Sequence, residues 1–441
     1  MKILCLVAPY VPSYFNAGHH INVYTVANHL RRTKPGSDVT CIDACARRWT
    51  WRDLAEALLE PFDLVLLQND FDAVDTFERT IRYIRTLLPD AKVATFGRLG
   101  AYAPGFFERA GCDAVHVSGD PETSMAAYAD YLDGLVHSPA GCRHRDWDGA
   151  WKTPAMGGFL SVEDWPFPEA RDLQIEASSA FYANDLNKFC GIPQRRELVV
   201  PVARGCPVNC SFCDVPRLQG LKERRVSVQQ VFRYVDDMRQ AGTQFDYVSF
   251  YAPTFTLKRN WVLELCDEIV RRDVPWRWKC VTTVSHLDAE LVSRMAAAGC
   301  VRISVGIETL SPVDADVLPA SKKDVRERLA ALAGWCRETS IELNCFIVLG
   351  LPGDSLAGVR STIEELRRLG ARVRPTIYTN YDAITQDMGA LEIGMFNRQL
   401  MGPDEHRDAR AFNRMGLRLD DDVATSVQTH VPIFPLAPSA P

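Results

Sequence analysis

The sequence predicts an α/β protein built on two parallel sheets, and three observations carry that expectation. Short, continuously apolar runs recur along most of the chain, stretches with helical spacing separate them, and the rhythm breaks once before the middle. Strands that are apolar throughout, rather than alternating, are buried on both faces, as in a parallel sheet covered by helices. At 441 residues the chain is long enough for two or three domains, each with its own core.

In residues 1–135 the apolar runs are Ile3–Val7, Val39–Ile42, Leu64–Leu67, Lys92–Phe96 and Ala114–Val117. The clearest helical patterns between them are Thr76–Leu88 and Glu122–Leu132. Five such units make a doubly wound, Rossmann-like domain. No GxGxxG follows the first run, so a dinucleotide is not expected there.

Residues 136–196 lack periodicity, carry Trp147, Trp151 and Trp165, and read as a linker. Over residues 197–388 the strand–helix rhythm returns. The expected strands are Leu198–Ala203, Tyr247–Tyr251, Trp276–Val281, Arg302–Ile307, Glu342–Leu349 and Arg374–Thr379. A helix is expected over Asp324–Arg337, capped by Ser321 or its neighbours, and another through Leu356–Leu369 that Gly370 stops. Six βα units predict a partial (β/α)6 TIM barrel, with its chemistry at the C-terminal ends of the strands. Residues 389–441 form a polar C-terminal extension ending in THVPIFPLAPSAP, with Ile433, Phe434 and Leu436 as anchors across the barrel.

Lys and Arg number 50 against 56 Asp and Glu, a net charge of −6 that makes no electrostatic case for nucleic acid. No apolar run is long enough to span a membrane, and MKILCLVAPY reads as a strand rather than a signal peptide. Most of the 14 cysteines, such as Cys5, Cys41, Cys266 and Cys345, fall in apolar periodic segments, where a thiol acts as a small hydrophobe. A reduced, cytoplasmic protein is expected, in which clustered cysteines bind metal.

One such group stands in Arg204-Gly205-Cys206-Pro207-Val208-Asn209-Cys210-Ser211-Phe212-Cys213, directly after the first strand of the second half. Three thiolates on one tight loop can hold three irons of a [4Fe–4S] cube and leave the fourth iron open. Zinc bound by three cysteines and a histidine is the alternative, but the first histidine downstream is His286.

The CxxxCxxC spacing resembles the radical S-adenosylmethionine (SAM) superfamily, and the resemblance covers roughly residues 195–385. It implies that Cys206, Cys210 and Cys213 ligate the cluster, that the open iron binds SAM, and that Phe212 shields the cluster edge. Val305-Gly306-Ile307-Glu308 looks like the G-I-E segment, with Gly306 admitting a ligand and Glu308 accepting hydrogen bonds from it. Phe346-Ile347-Val348-Leu349-Gly350-Leu351-Pro352-Gly353-Asp354 resembles the fifth-strand segment whose backbone, at Val348 and Gly350, contacts adenine; Asp354 is expected to cap the next helix.

A Rossmann-like domain before this barrel is similar to the cobalamin-binding radical SAM enzymes, and Gly119-Asp120-Pro121-Glu122 occupies the place of their G-E-G-E turn. The chain departs from them in lacking DxHxxG after the first strand and in carrying bulk at the strand mouths: Tyr10, Tyr14 and Phe15, Gln68-Asn69-Asp70, Arg98 and Tyr102. Gly97-Arg98 replaces the usual glycine pair, and His19-His20 reads as capping or surface. The sequence therefore argues against cobalamin.

A degenerate cobalamin fold on this barrel looks like the radical SAM diol dehydratases of aminoglycoside biosynthesis, such as the type acting on paromamine in the apramycin pathway. The resemblance implies hydrogen abstraction from a vicinal diol, loss of water and a ketone product. Its partners would be an amino-sugar substrate, a flavodoxin- or ferredoxin-type electron donor and a downstream ketone reductase. Tyr378, Tyr381, Asp382 and Asp387, at the mouth of the sixth strand, are the candidate acid–base groups. Ala252 and Thr282-Thr283, where relatives often carry aspartate and arginine, have no assigned role. The alternative is a cobalamin-dependent radical SAM C-methyltransferase or rearrangement enzyme.

Overall fold

The computed structural model describes residues 1–9, 20–71, 74–181, 196–314, 316–394 and 396. Tyr10, Tyr14, Phe15, His19 and the anchors Ile433, Phe434 and Leu436 lie outside the described residues.

The first sheet is built from β1 (Lys2–Val7), β2 (Asp38–Asp43), β3 (Leu64–Asn69), β4 (Lys92–Gly97) and β5 (Ala114–His116) in the order β2-β1-β3-β4-β5, all parallel. Helices α1 (Ile21–Thr33), α2 (Trp51–Ala57), α3 (Val74–Leu87), α4 (Pro104–Ala110) and α5 (Pro121–Leu132) make the crossovers. Every residue of β3 is buried, which is why its sequence is apolar rather than alternating. This is the doubly wound topology that the sequence predicts.

The segment expected to be a linker adds to this sheet. Strands β6 (Cys142–Arg145) and β7 (Trp151–Lys152) join its edge antiparallel beyond β5. Cys142 and His144 are buried and their neighbours are not, an alternation too short for periodicity to register. Helix α6 (Ile175–Phe181) follows.

The second sheet takes β8 (Glu197–Pro201), then two short strands, β9 (Ala203–Arg204) and β10 (Arg224–Arg225), paired antiparallel beside it. It continues through β11 (Tyr247–Tyr251), β12 (Arg277–Thr282), β13 (Cys300–Glu308), β14 (Glu342–Leu349) and β15 (Arg372–Ile377). The order β15-β14-β13-β12-β11-β8 is parallel throughout, each strand beside the previous one: an open six-stranded barrel. Helices α7 (Val215–Gln219), α8 (Val228–Gln240), α9 (Arg259–Arg272), α10 (Ala289–Ala297), α11 (Arg326–Glu338) and α12 (Leu356–Arg368) complete it, and α13 (Ala390–Gly394) packs back on α3 of the first half. Its core centres on Trp278, fully buried against Phe250 and Phe255, with its indole N–H donated to the Ala298 carbonyl at 2.7 Å.

Two helix starts differ from expectation. Ser321 sits in a separate 3-10 turn, Ala320–Lys322, and α11 begins after Val325 without a side-chain cap. Ser355, not Asp354, caps α12: its hydroxyl accepts the Gly358 N–H at 3.1 Å, while Asp354 accepts the Ser355 N–H. Both carboxyl and hydroxyl can cap, and spacing alone does not choose between neighbours.

The two sheets meet by their C-terminal edges. Arg98, just after β4, reaches Asp214 and Tyr381 of the barrel half, and Glu122, at the start of α5, takes Arg204. Tyr381, Ile384 and Ile393 pack into the apolar core of the first sheet.

Candidate active site

The cysteine loop begins two residues after β9 and ends where α7 starts, which holds it at the barrel's C-terminal mouth. Gly205 introduces it with φ +82°, and a Cβ there would lie 2.4 Å from the Lys222 carbonyl oxygen, so only glycine passes. Inside the loop Asn209 is left-handed at φ 52°, and the Cys213 N–H donates to the Cys210 carbonyl at 3.1 Å. Cys206 is buried, with its thiol 3.6 Å from the Thr254 hydroxyl, and Cys210 and Cys213 are half-buried. Burial pushes Cys210 up to about 12, with the Lys322 charge pulling the other way. A metal must therefore displace a firmly held proton, as thiolate ligation generally requires.

Among the described residues, no three His, Cys, Asp or Glu side chains are grouped as ligands of one ion. A cube asks for something else, one thiolate on each of three irons, and three soft donors on one loop fit that donor set.

Strand β13 supplies the next groups. The register between β13 and β14 shifts between Gly306 and Glu308, and Glu308 takes φ 61°, a conformation costly for a residue with a Cβ. The distortion turns the buried Glu308 carboxylate onto Lys322, whose ammonium also donates to the Gly306 carbonyl at 3.2 Å. A Cβ on Gly306 would come within 2.6 Å of both Lys322 Nζ and Glu308 Oε1, so this glycine makes room for the pair. Burial opposes the Lys322 charge, but Glu308 and then Cys210 outweigh it and raise its pKa. The cysteine loop thus has a protonated lysine beside it. Nothing in the sequence around Lys322 signals it; only the strand-to-loop fold brings it in.

Phe212, Val317, Leu318, Val348 and Leu351 form a separate buried apolar cluster, with Cys210, Cys213 and Tyr378 packed against it. Three predicted residues, Phe212, Val348 and Tyr378, thus meet beside the cysteine loop. Gly350, φ +78°, turns the chain after β14. Burial raises the pKa of half-buried Tyr378, and the Asp382 charge adds to this.

The other strand-six candidates go elsewhere. Tyr381 is buried, stacks on Tyr102 with centroids 4.7 Å apart, and accepts or shares a hydrogen bond with Arg98 Nη2 at 3.0 Å. Asp382 and Asp387 are exposed, and a hydrogen bond from Thr385 lowers the Asp387 pKa.

At the first sheet's edge His20 stands at the N-cap of α1, but its side chain is not at the surface and makes no capping hydrogen bond. It is buried, its Nδ1 lies 2.9 Å from Asp43 Oδ2, and Tyr24 donates to the same oxygen at 2.9 Å. Burial opposes the Asp43 charge, but His20 more than offsets it and lowers the pKa. Among the described residues, His20 Nε2 and Gln68 Oε1 are buried without hydrogen-bond partners.

Of the side chains expected to exclude cobalamin, Asn69, Asp70, Arg98 and Tyr102 have partners within the protein. Asn69 turns into the sheet, donating to Thr95 Oγ1 at 2.8 Å and accepting the Gly100 N–H at 3.1 Å. Tyr102 is engaged by Tyr381, and Arg98 by Asp70, Asp214 and Tyr381. Arg98 and Tyr102 pack between the two halves, bridging the first sheet to the barrel. The expectation against cobalamin is not supported.

Residues 200–366, the core of the second sheet and its helices, match the model of the radical SAM superfamily. Across most of the chain, the fold is that of TsrM from Kitasatospora setae, a radical SAM methyltransferase solved with cobalamin and a [4Fe–4S] cluster. That likeness has TM-score 0.64 and 20% identity, and covers 85% of this chain and 72% of that one. OxsB, a cobalamin-dependent radical SAM enzyme solved with aqua-cobalamin, gives 0.65 and 17%, covering 96% of this chain and 62% of its own. In sequence, the cytidylyl-2-hydroxyethylphosphonate methyltransferase of Streptomyces wedmorensis is 23% identical over 333 residues, 69% of this chain and 60% of its own. The chain spans about a third to three fifths of the first curated relatives it matches. Among the described residues, no helix is long and apolar enough to cross a membrane.

Proposed function

We propose that this protein is a radical SAM enzyme of the cobalamin-binding architecture that methylates carbon on a small polar molecule. The observation that carries this is the meeting of the two C-terminal sheet edges around the cysteine loop. Methyl transfer is favoured over dehydration by the methyltransferases among its relatives.

Cys206, Cys210 and Cys213 would hold the [4Fe–4S] cluster, which when bound supplies the electron that splits SAM into methionine and a 5′-deoxyadenosyl radical. His20 Nε2 and Gln68 Oε1 would help hold cobalamin at the edge of the first sheet, where it would supply methyl-transfer chemistry. Lys322 and Glu308 offer opposite charges to the two charged ends of the methionine moiety. Phe212, Val348, Leu351 and Tyr378 keep water from the loop, and Tyr378 stays protonated as a hydrogen-bond donor toward substrate. Electrons would come from a flavodoxin- or ferredoxin-type donor.

A second reading is dehydration of a vicinal diol on an amino sugar, and one observation favours it. Arg98 spans the mouths of β3 and β4 through Asp70, Asp214 and Tyr381, a polar closure suited to sugar hydroxyls. Anaerobically reconstituted protein separates the two. A stoichiometric corrinoid and a methylated product support the first reading; a corrinoid-free protein yielding a product lighter by one water replaces it with the second.

A further inference from the structure

The cysteine loop is tied to the first sheet at both ends. Two residues before Cys206, Arg204 donates to Glu122 through both terminal nitrogens, at 3.0 and 2.7 Å. Immediately after Cys213, Asp214 accepts Arg98 Nε at 2.7 Å. The other Arg98 nitrogens are also used, on Asp70 Oδ1 at 3.0 Å and the Tyr381 hydroxyl at 3.0 Å. Glu122, Arg204 and Asp214 are largely buried, so water does not screen these bridges as it would at a surface.

We infer that the first sheet is a two-point clamp on the cysteine loop, with Arg98 the positioning residue that fixes the end next to Cys213. This rests on the reading that the loop holds a cluster. Three thiolates must converge on three corners of one cube, and a loop free at either end would spread over many arrangements that do not. Guanidinium groups suit the task because a planar fork bonded at several points fixes direction as well as distance. Arg98 does more than bind Asp214. Through Asp70 and Tyr381 it sets that residue relative to the mouth of β3 and the loop after β15, so movement at the edge of the first sheet is passed to the cluster.

The test compares wild type with Arg98→Met, Arg98→Lys and Glu122→Gln, each reconstituted anaerobically and checked for fold by circular dichroism. The readouts are iron and sulfide per chain and the EPR spectrum of the reduced cluster with SAM. We expect Arg98→Met and Glu122→Gln each to lose at least half the wild-type iron, or to retain it with a shifted EPR signal. Arg98→Lys, which keeps a charge for Asp214, should move the signal back toward wild type. If Arg98→Met does not fold, Asp214→Asn takes its place, since it removes the charge and keeps an acceptor. Full iron with an EPR signal superimposable on wild type, in folded variants at both ends, overturns the clamp. A wild-type chain that takes up no iron overturns the cluster reading itself.

Discussion

Replacing Glu122 with glutamine removes a charge and almost no volume, so it isolates the electrostatic content of the Arg204 bridge. The carboxylate is fully buried and bonded on both oxygens. Burial disfavours its ionised form, but the Arg204 charge and hydrogen bonds outweigh this and hold its pKa at about 2, against an ordinary 4.5. Stranding one member of a buried pair costs about 3–5 kcal/mol. Asp120, 3.5 Å from Arg204 Nη1, remains to take part of the charge, so the lower end of that range applies. Because the folded pKa is depressed, the contribution is fully present above about pH 4.5 and is lost as the pH falls toward 2. Urea unfolding at neutral pH should therefore show Glu122→Gln destabilised by about 3 kcal/mol. Below pH 4.5 the gap from wild type should narrow. A loss under about 1 kcal/mol with an unchanged acid profile would refute the reasoning, since it would put the bridge in the range of an exposed pair.

Substituting Cys206, Cys210 or Cys213 with alanine should abolish reductive SAM cleavage, read as 5′-deoxyadenosine, while Cys41→Ala or Cys300→Ala leaves the cluster absorbance intact; activity in a loop variant would remove the assignment. Lys322→Met should weaken SAM binding about tenfold or more, the loss of one charged contact of about 1.4 kcal/mol, and unchanged affinity would free Lys322 from this role. Tyr378→Phe should slow product formation on the order of a hundredfold while SAM is still cleaved, and a wild-type rate of product would take the hydroxyl out of the chemistry.

What the sequence by itself determined lies where signals are local. Continuous apolar runs marked β1 and β3 of the first sheet, because burial on both faces leaves no polar alternation, whereas β12 of the barrel alternates in burial. The three cysteines of one loop were legible as candidate ligands because soft ligands of one cluster sit close along the chain. Tertiary structure decided the rest. Tyr381 and Asp382 are neighbours in sequence, yet one is sealed against Tyr102 and the other faces water. Lys322 sits at the cysteine loop through a contact with Glu308 that no spacing announces. Arg98 looked like an obstacle at a strand mouth until the fold brought Asp70, Asp214 and Tyr381 around it. The reason is physical. Periodicity and motif spacing record what a residue does along its own element, whereas charge pairing between distant elements depends on distances that exist only once both sheets have packed.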